Sequence, residues 1–94
     1  FDARIRPTRK CRTLTKKETI SIDFSIKKIL SRAIELGGTT LNDFHQPDGN
    51  MGYFKIELSV YDRANKKCKA CKKQSIKKII LAQRATYFCK DCQN

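Results

Sequence analysis

Cys68-Lys-Ala-Cys71 and Cys89-Lys-Asp-Cys92 bracket a basic, β-rich span of 17 residues, and together they decide how this chain folds. Each Cys-x-x-Cys pair fits a tight turn that points both sulfurs the same way, so the two pairs can close four thiolates around one Zn²⁺. Four sulfur ligands leave no open position for water or substrate, and such a metal is structural: it holds the fold and does no chemistry. Two disulfides in a small secreted protein are the alternative. The regular pairs, in a chain whose opening Phe1-Asp-Ala-Arg4 shows no signal segment, favour metal. The fifth cysteine, Cys11, has no partner at metal spacing and reads as a plain thiol.

Ninety-four residues make one domain at most. A domain this short buries a modest core and often needs a staple such as a metal. The 21 Lys and Arg against 9 Asp and Glu give a formal charge of +12; four thiolates and one Zn²⁺ together subtract two charges and leave +10. Such an excess attracts polyanions, and nucleic acid is the usual partner of a strongly basic zinc domain. A membrane is not expected as a partner, since no apolar run approaches the roughly 20 residues that span a bilayer. A start at Phe1 rather than Met reads as an interior cut in a longer protein.

Phe1 to Ile5 look like the end of a helix that Pro7 cannot continue. Arg4, Arg6, Arg9, Lys10 and Arg12 follow as a basic connector, either solvated or in contact with phosphates. Thr15-Lys-Lys-Glu18 is a capping box and should start a helix. Ile22, Ile26, Ile29, Leu30, Ala33 and Ile34 recur at helical spacing and read as a core stripe, and Gly37 supplies the left-handed stop. Alternation over Ile20, Ile22, Phe24 and Ile26 also fits a strand, but the capping box, the length and the Gly-Gly stop favour the helix. Residues 37–52 are rich in turn formers and make a long loop, of a length that is usually functional or disordered. His45 lies within it, as a loop side chain rather than a fifth ligand. Residues 53–61 fit a strand or a helical face equally well. Between the cysteine pairs, Ser75 to Leu81 and Arg84 to Phe88 read as strands about a turn at Ala82-Gln83. Lys69, Lys72, Lys73, Lys77, Lys78, Arg84 and Lys90 would stud that zinc-held hairpin with positive charge suited to a nucleic-acid groove. The fold class is therefore a small α+β domain, a helical part followed by a long loop and a four-cysteine, zinc-held β-hairpin.

In order, Gly37-Gly-Thr-Thr-Leu-x-Asp-Phe44, Asp48-Gly49, Gly52-Tyr-Phe54, Glu57-Leu-x-Val-Tyr61, Ala82-Gln-Arg-Ala-Thr86 and Cys89-x-x-Cys-Gln93 resemble the C-terminal part of bacterial formamidopyrimidine-DNA glycosylase. Endonuclease-VIII-like relatives share the finger, whereas the long Gly-Gly-Thr-Thr-Leu loop is associated with the formamidopyrimidine branch. The resemblance implies base-excision repair of DNA damage, with glycosidase and lyase activity together. Such an enzyme flips oxidised purines such as 8-oxoguanine and formamidopyrimidines out of damaged double-stranded DNA, excises them, and nicks the abasic strand by β,δ-elimination. It also implies a monomer in the bacterial cytoplasm. The nucleophile of that family is an N-terminal proline amine aided by a glutamate. Both belong to an N-terminal catalytic domain that is absent from this chain and would be its partner in the same protein. Alone, these residues are expected to be inactive as a glycosylase.

By the same resemblance, residues 1–52 hold the end of a helix-two-turn-helix region, the core helix and a lesion-capping loop, and residues 53–94 a short helix and the zinc finger. The Thr39 carbonyl would accept from the N7-H of 8-oxoguanine, and amides near Asp43, Phe44 and His45 would donate to its O6. Arg84 matches the arginine that grips phosphates around the flipped nucleotide and is assigned as proton donor in δ-elimination. Because a guanidinium is a poor acid, phosphate clamping is its main expected contribution. Cys68, Cys71, Cys89 and Cys92 match the zinc ligands. Two departures stand out: one extra residue between Cys71 and Cys89, and Lys72-Lys73 where a glycine usually turns the chain. They leave room for a bulge that would shift Arg84 in register. A freestanding, non-catalytic basic zinc module that binds nucleic acid is the second reading, and a ribosomal or other RNA-binding zinc protein the third, which leaves the Gly-Gly-Thr-Thr loop unexplained.

Overall fold

In the computed structural model, residues 1–38 and 57–94 are described. Their elements are a 3₁₀ turn at Cys11–Thr13, one helix, α1 (Lys16–Glu35), and two strands, β1 (Lys77–Leu81) and β2 (Arg84–Phe88). The α+β class expected from the sequence is the one observed. The chain divides into two compact units, Phe1–Ile22 with Ser59–Asn94, and Asp23–Leu58.

The capping box forms as its spacing requires. Thr15 Oγ1 accepts from the Glu18 amide at 3.1 Å, and a Glu18 carboxylate oxygen accepts from the Thr15 amide at 3.0 Å. Two donors that the first turn cannot pair internally are thus satisfied, and the helix prevails over the strand that the alternation at Ile20–Ile26 also allowed. At the other end the Gly38 amide donates to Ala33 O at 2.8 Å and the Gly37 amide to Ile34 O at 3.0 Å. These are the two bonds of a Schellman stop, and Gly37 at φ 77° takes the left-handed conformation it needs.

The apolar stripe does not form a core among the described residues. Ile26, Leu30 and Ile34 are 52, 59 and 79% exposed, and Ser25 is the one buried residue of α1. Helical periodicity identifies which side of a helix is apolar, not what covers it. Near the end of α1, Arg32 reaches Glu57 with Nη2 at 2.6 Å and Nε at 3.1 Å, and its Nη1 reaches Glu35 at 3.1 Å. Residues 57–61 hold no strand, and the rest of the stretch expected as strand or short helix lies outside the described residues.

In the other unit, β1 and β2 pair antiparallel in unbroken register from Lys77↔Phe88 to Leu81↔Arg84. No bulge interrupts the paired strands. Ala82 and Gln83 make the two-residue connection with φ of 48° and 65°, both left-handed, which matches the twist of the flanking strands. Lys72, where a glycine was expected, takes φ 58° itself, so the turn keeps its shape without glycine. Cys68, Ile76 and Cys89 form the buried centre, with Phe1, Val60, Tyr87 and the other two cysteines of the pairs packed against it. Tyr61 and Tyr87 meet edge to face at 5.3 Å between ring centres. So small a core gives the cysteines a large share of what is buried.

Phe1–Ile5, expected as a helix end, form a single turn in which the Arg4 amide donates to Phe1 O at 2.9 Å. Arg4 is left-handed at φ 61°, which no right-handed helix continues. The basic connector is not simply a solvated run either. Arg6 donates to Gln93 O and Lys90 O, and Arg9 to Glu18, Thr13 O and Asn94 O.

Candidate metal centre

The two cysteine turns are built alike. In the first, the Lys72 amide donates to Cys68 O at 2.9 Å; in the second, the Gln93 amide donates to Cys89 O at 3.1 Å. Each turn presents both of its sulfurs on one side, and the four Sγ atoms of Cys68, Cys71, Cys89 and Cys92 all lie within 4.8 Å of one another. Cys68 Sγ lies 3.7 Å from Cys92 Sγ, and Cys71 Sγ lies 3.8 Å from Cys89 Sγ. A tetrahedron with Zn–S bonds of about 2.3 Å has S–S edges of about 3.8 Å, so the spacing suits a four-sulfur site. All five cysteines are free thiols, which removes the disulfide alternative. Cys11 is exposed and away from the cluster.

The turns also tune the sulfurs. Burial pushes the Cys68 thiol up, but amide donors from Cys71 and Ala70, with help from the neighbouring thiols, outweigh it and hold it below its usual value. The Gln74 and Lys73 amides pull Cys71 down to about 6. Cys92 goes the other way, to about 12, through burial first and then the sulfurs of Cys89 and Cys68. Four thiols this close cannot all ionise without a counter-charge, and a divalent cation at their centre supplies one. The donor set therefore fits a metal ion.

Around this centre the surface is basic. Lys69, Lys72, Lys73, Lys77, Lys78, Arg84 and Lys90 are all exposed. Arg84 is the first residue of β2, directly after the turn and opposite Leu81. Lys78 Nζ sits over the Tyr87 ring at 6.0 Å. Thr39, Asp43, Phe44 and His45, the expected lesion-loop residues, lie outside the described residues. The sequence singled out Arg6 and Gln93 only as a basic residue and a motif position, not as the residues that join the second cysteine turn to Ile5 and the start of the chain. Cys-Gln adjacency at 92–93 was the one available signal. Among the described residues no helix is long and apolar enough to cross a membrane.

No protein-family model matches the chain. Among curated proteins it is 52% identical over 93 residues to the formamidopyrimidine-DNA glycosylase of Photorhabdus laumondii, an alignment covering 99% of this chain and 34% of that protein. Among solved structures it is similar to the MutM (Fpg) protein of Thermus thermophilus with a TM-score of 0.90 and 38% identity, covering 98% of this chain and 35% of that one. A Lactococcus lactis Fpg in complex with DNA containing Fapy-dG aligns with a TM-score of 0.86 and 35% identity, covering 98% and 32%. The chain spans about a third of the length of these relatives. Over its whole length, it matches the C-terminal part of formamidopyrimidine-DNA glycosylase.

Proposed function

We propose that this chain is the DNA-binding, zinc-held part of a base-excision-repair glycosylase that removes oxidised purines and then nicks the abasic strand. The observation that carries this reading is the joint presence of a four-thiol cluster and an exposed basic hairpin in a chain similar to a glycosylase solved with lesion-containing DNA. Zn²⁺ is the ion the donor set suits best, since four thiolates at tetrahedral spacing select a soft, redox-inert cation. Bound there, it supplies structural cross-linking and no chemistry.

The chain's own residues then do the gripping. Arg84, exposed at the first position of β2, would meet the DNA backbone, where a guanidinium can hold two phosphate oxygens at once. The lysines around it add sequence-independent attraction. Thr39, Asp43, Phe44 and His45 would contribute backbone contacts to the extruded base, for which loop shape matters more than side-chain identity. The exposed stripe Ile26, Leu30 and Ile34 on α1 is an apolar face that the rest of the same polypeptide would cover; its N-terminal catalytic domain would carry the proline nucleophile. A monomeric, cytoplasmic enzyme that acts on duplex DNA follows from the same reading.

The test uses the full-length protein and a duplex bearing one 8-oxoguanine. Excision followed by strand cleavage is expected, and deletion of residues 39–51 should impair excision more than cleavage of a preformed abasic site. An intact lesion strand after prolonged incubation contradicts the glycosylase reading. Equal losses from the deletion contradict the role of the loop.

A further inference from the structure

Ser25 and Gln93 are the buried polar residues among those described, and Gln93 is only 2% exposed. Its four polar groups are all engaged. The backbone amide donates to Cys89 O at 3.1 Å, and the side-chain Oε1 accepts from the Cys89 amide at 2.9 Å. The side-chain Nε2 donates to Ile5 O at 2.9 Å, and the backbone carbonyl accepts from Arg6 Nε at 3.2 Å. Gln93 thus holds the Cys89 residue by both its N–H and its C=O.

The first cysteine turn shows what this arrangement replaces. There the Cys68 amide donates to a main-chain carbonyl, that of Gln74, at 2.8 Å, because the chain folds back past its own turn. In the second turn the equivalent amide, that of Cys89, finds a side-chain carbonyl instead. We propose that Gln93 is a positioning residue of the metal centre, whose carboxamide stands in for the returning main chain of the first turn and fixes the direction of the Cys89 sulfur. Through Ile5 and Arg6 the same residue ties the turn to the segment before α1. Arg6 reinforces the link by donating from its side chain to Lys90 O at 2.7 Å and from its amide to Asn94 O at 2.8 Å. Groups that orient metal ligands commonly change metal affinity by roughly 10- to 100-fold when removed.

This inference rests on the metal reading above, and the experiment separates the two. The full-length, zinc-saturated protein is challenged with excess chelator, and exchange of the Cys89 and Cys68 amides is followed in the metal-loaded state. Wild-type protein holding no zinc would overturn the metal reading before any variant is made. Gln93→Met keeps the volume and loses both side-chain hydrogen bonds; it should release zinc at least about tenfold faster and expose the Cys89 amide while the Cys68 amide stays protected. Gln93→Glu keeps an acceptor for the Cys89 amide and should fall between wild type and Gln93→Met in both measurements. Release from Gln93→Met within twofold of wild type would overturn the assignment. So would equal release from the two variants, equal deprotection of both cysteine amides, or loss of the fold in both variants alike.

Discussion

Arg9 grips both carboxylate oxygens of Glu18, Nη1 to one at 3.1 Å and Nη2 to the other at 3.0 Å, while the same carboxylate accepts from the Thr15 amide. One side chain thereby closes the capping box of α1 and anchors the basic segment that precedes it. Arg9 Nη1 also reaches Asn94 O at 3.3 Å, so the helix start and the last residue share one guanidinium.

That arrangement sets a pH dependence. The Arg9 hydrogen bond, followed by the Thr15 amide, holds the Glu18 carboxyl below its ordinary value of 4.5. A depressed carboxyl pKa contributes stability that is fully present above 4.5 and lost as pH falls through the lower folded value. Titration followed by the carboxyl carbon resonance of Glu18 should give a midpoint below 4.5, shifted upward in Arg9→Gln. An unshifted midpoint in wild type would show that the pair does not persist in solution.

Gln83 occupies a left-handed conformation at φ 65° in the two-residue turn, where a side chain costs about 1 kcal/mol or more. Gln83→Gly removes that cost and leaves the register of the hairpin intact. Thermal unfolding with zinc in excess should show a stabilisation of about 0.5 to 1 kcal/mol. A lower melting temperature would mean that the Gln83 side chain does something in the folded state.

Arg84→Ala tests the proposed phosphate grip. Binding of the full-length protein to a lesion or abasic duplex should weaken roughly tenfold, and the slope of log affinity against log salt should flatten by about 0.9 for the lost phosphate contact. An unchanged affinity and slope would rule Arg84 out as a phosphate ligand.

The parts legible from sequence were those fixed by short-range chemistry. Thr15 and Glu18 announce a helix start because their bonds join residues three apart, and the Cys-x-x-Cys turns announce a metal site because spacing alone aligns their sulfurs. The bonds from Arg6 to Gln93 O, from Arg9 to Asn94 O and from Gln93 to Ile5 O were not legible in the same way. They join residues 85 or more positions apart, and nothing in local composition distinguishes an arginine that braces a backbone carbonyl from one that faces solvent. The stripe on α1 marked the apolar face of the helix but could not tell what would cover it. Lys72 and the hairpin register show the converse limit. A residue other than glycine can adopt the left-handed turn, and the paired strands beyond it keep an unbroken register.

Whether four thiolates and one zinc hold this part of the protein together, as proposed, is read by sulfur-edge and zinc-edge X-ray absorption on the purified protein, with metal analysis. One zinc per chain bound by four sulfurs at about 2.3 Å is the expected result, with Cys89→Ser losing the metal and the native amide dispersion of the hairpin. Substoichiometric zinc, a coordination shell containing nitrogen or oxygen, or a Cys89→Ser protein that keeps one zinc and its native spectrum would contradict it.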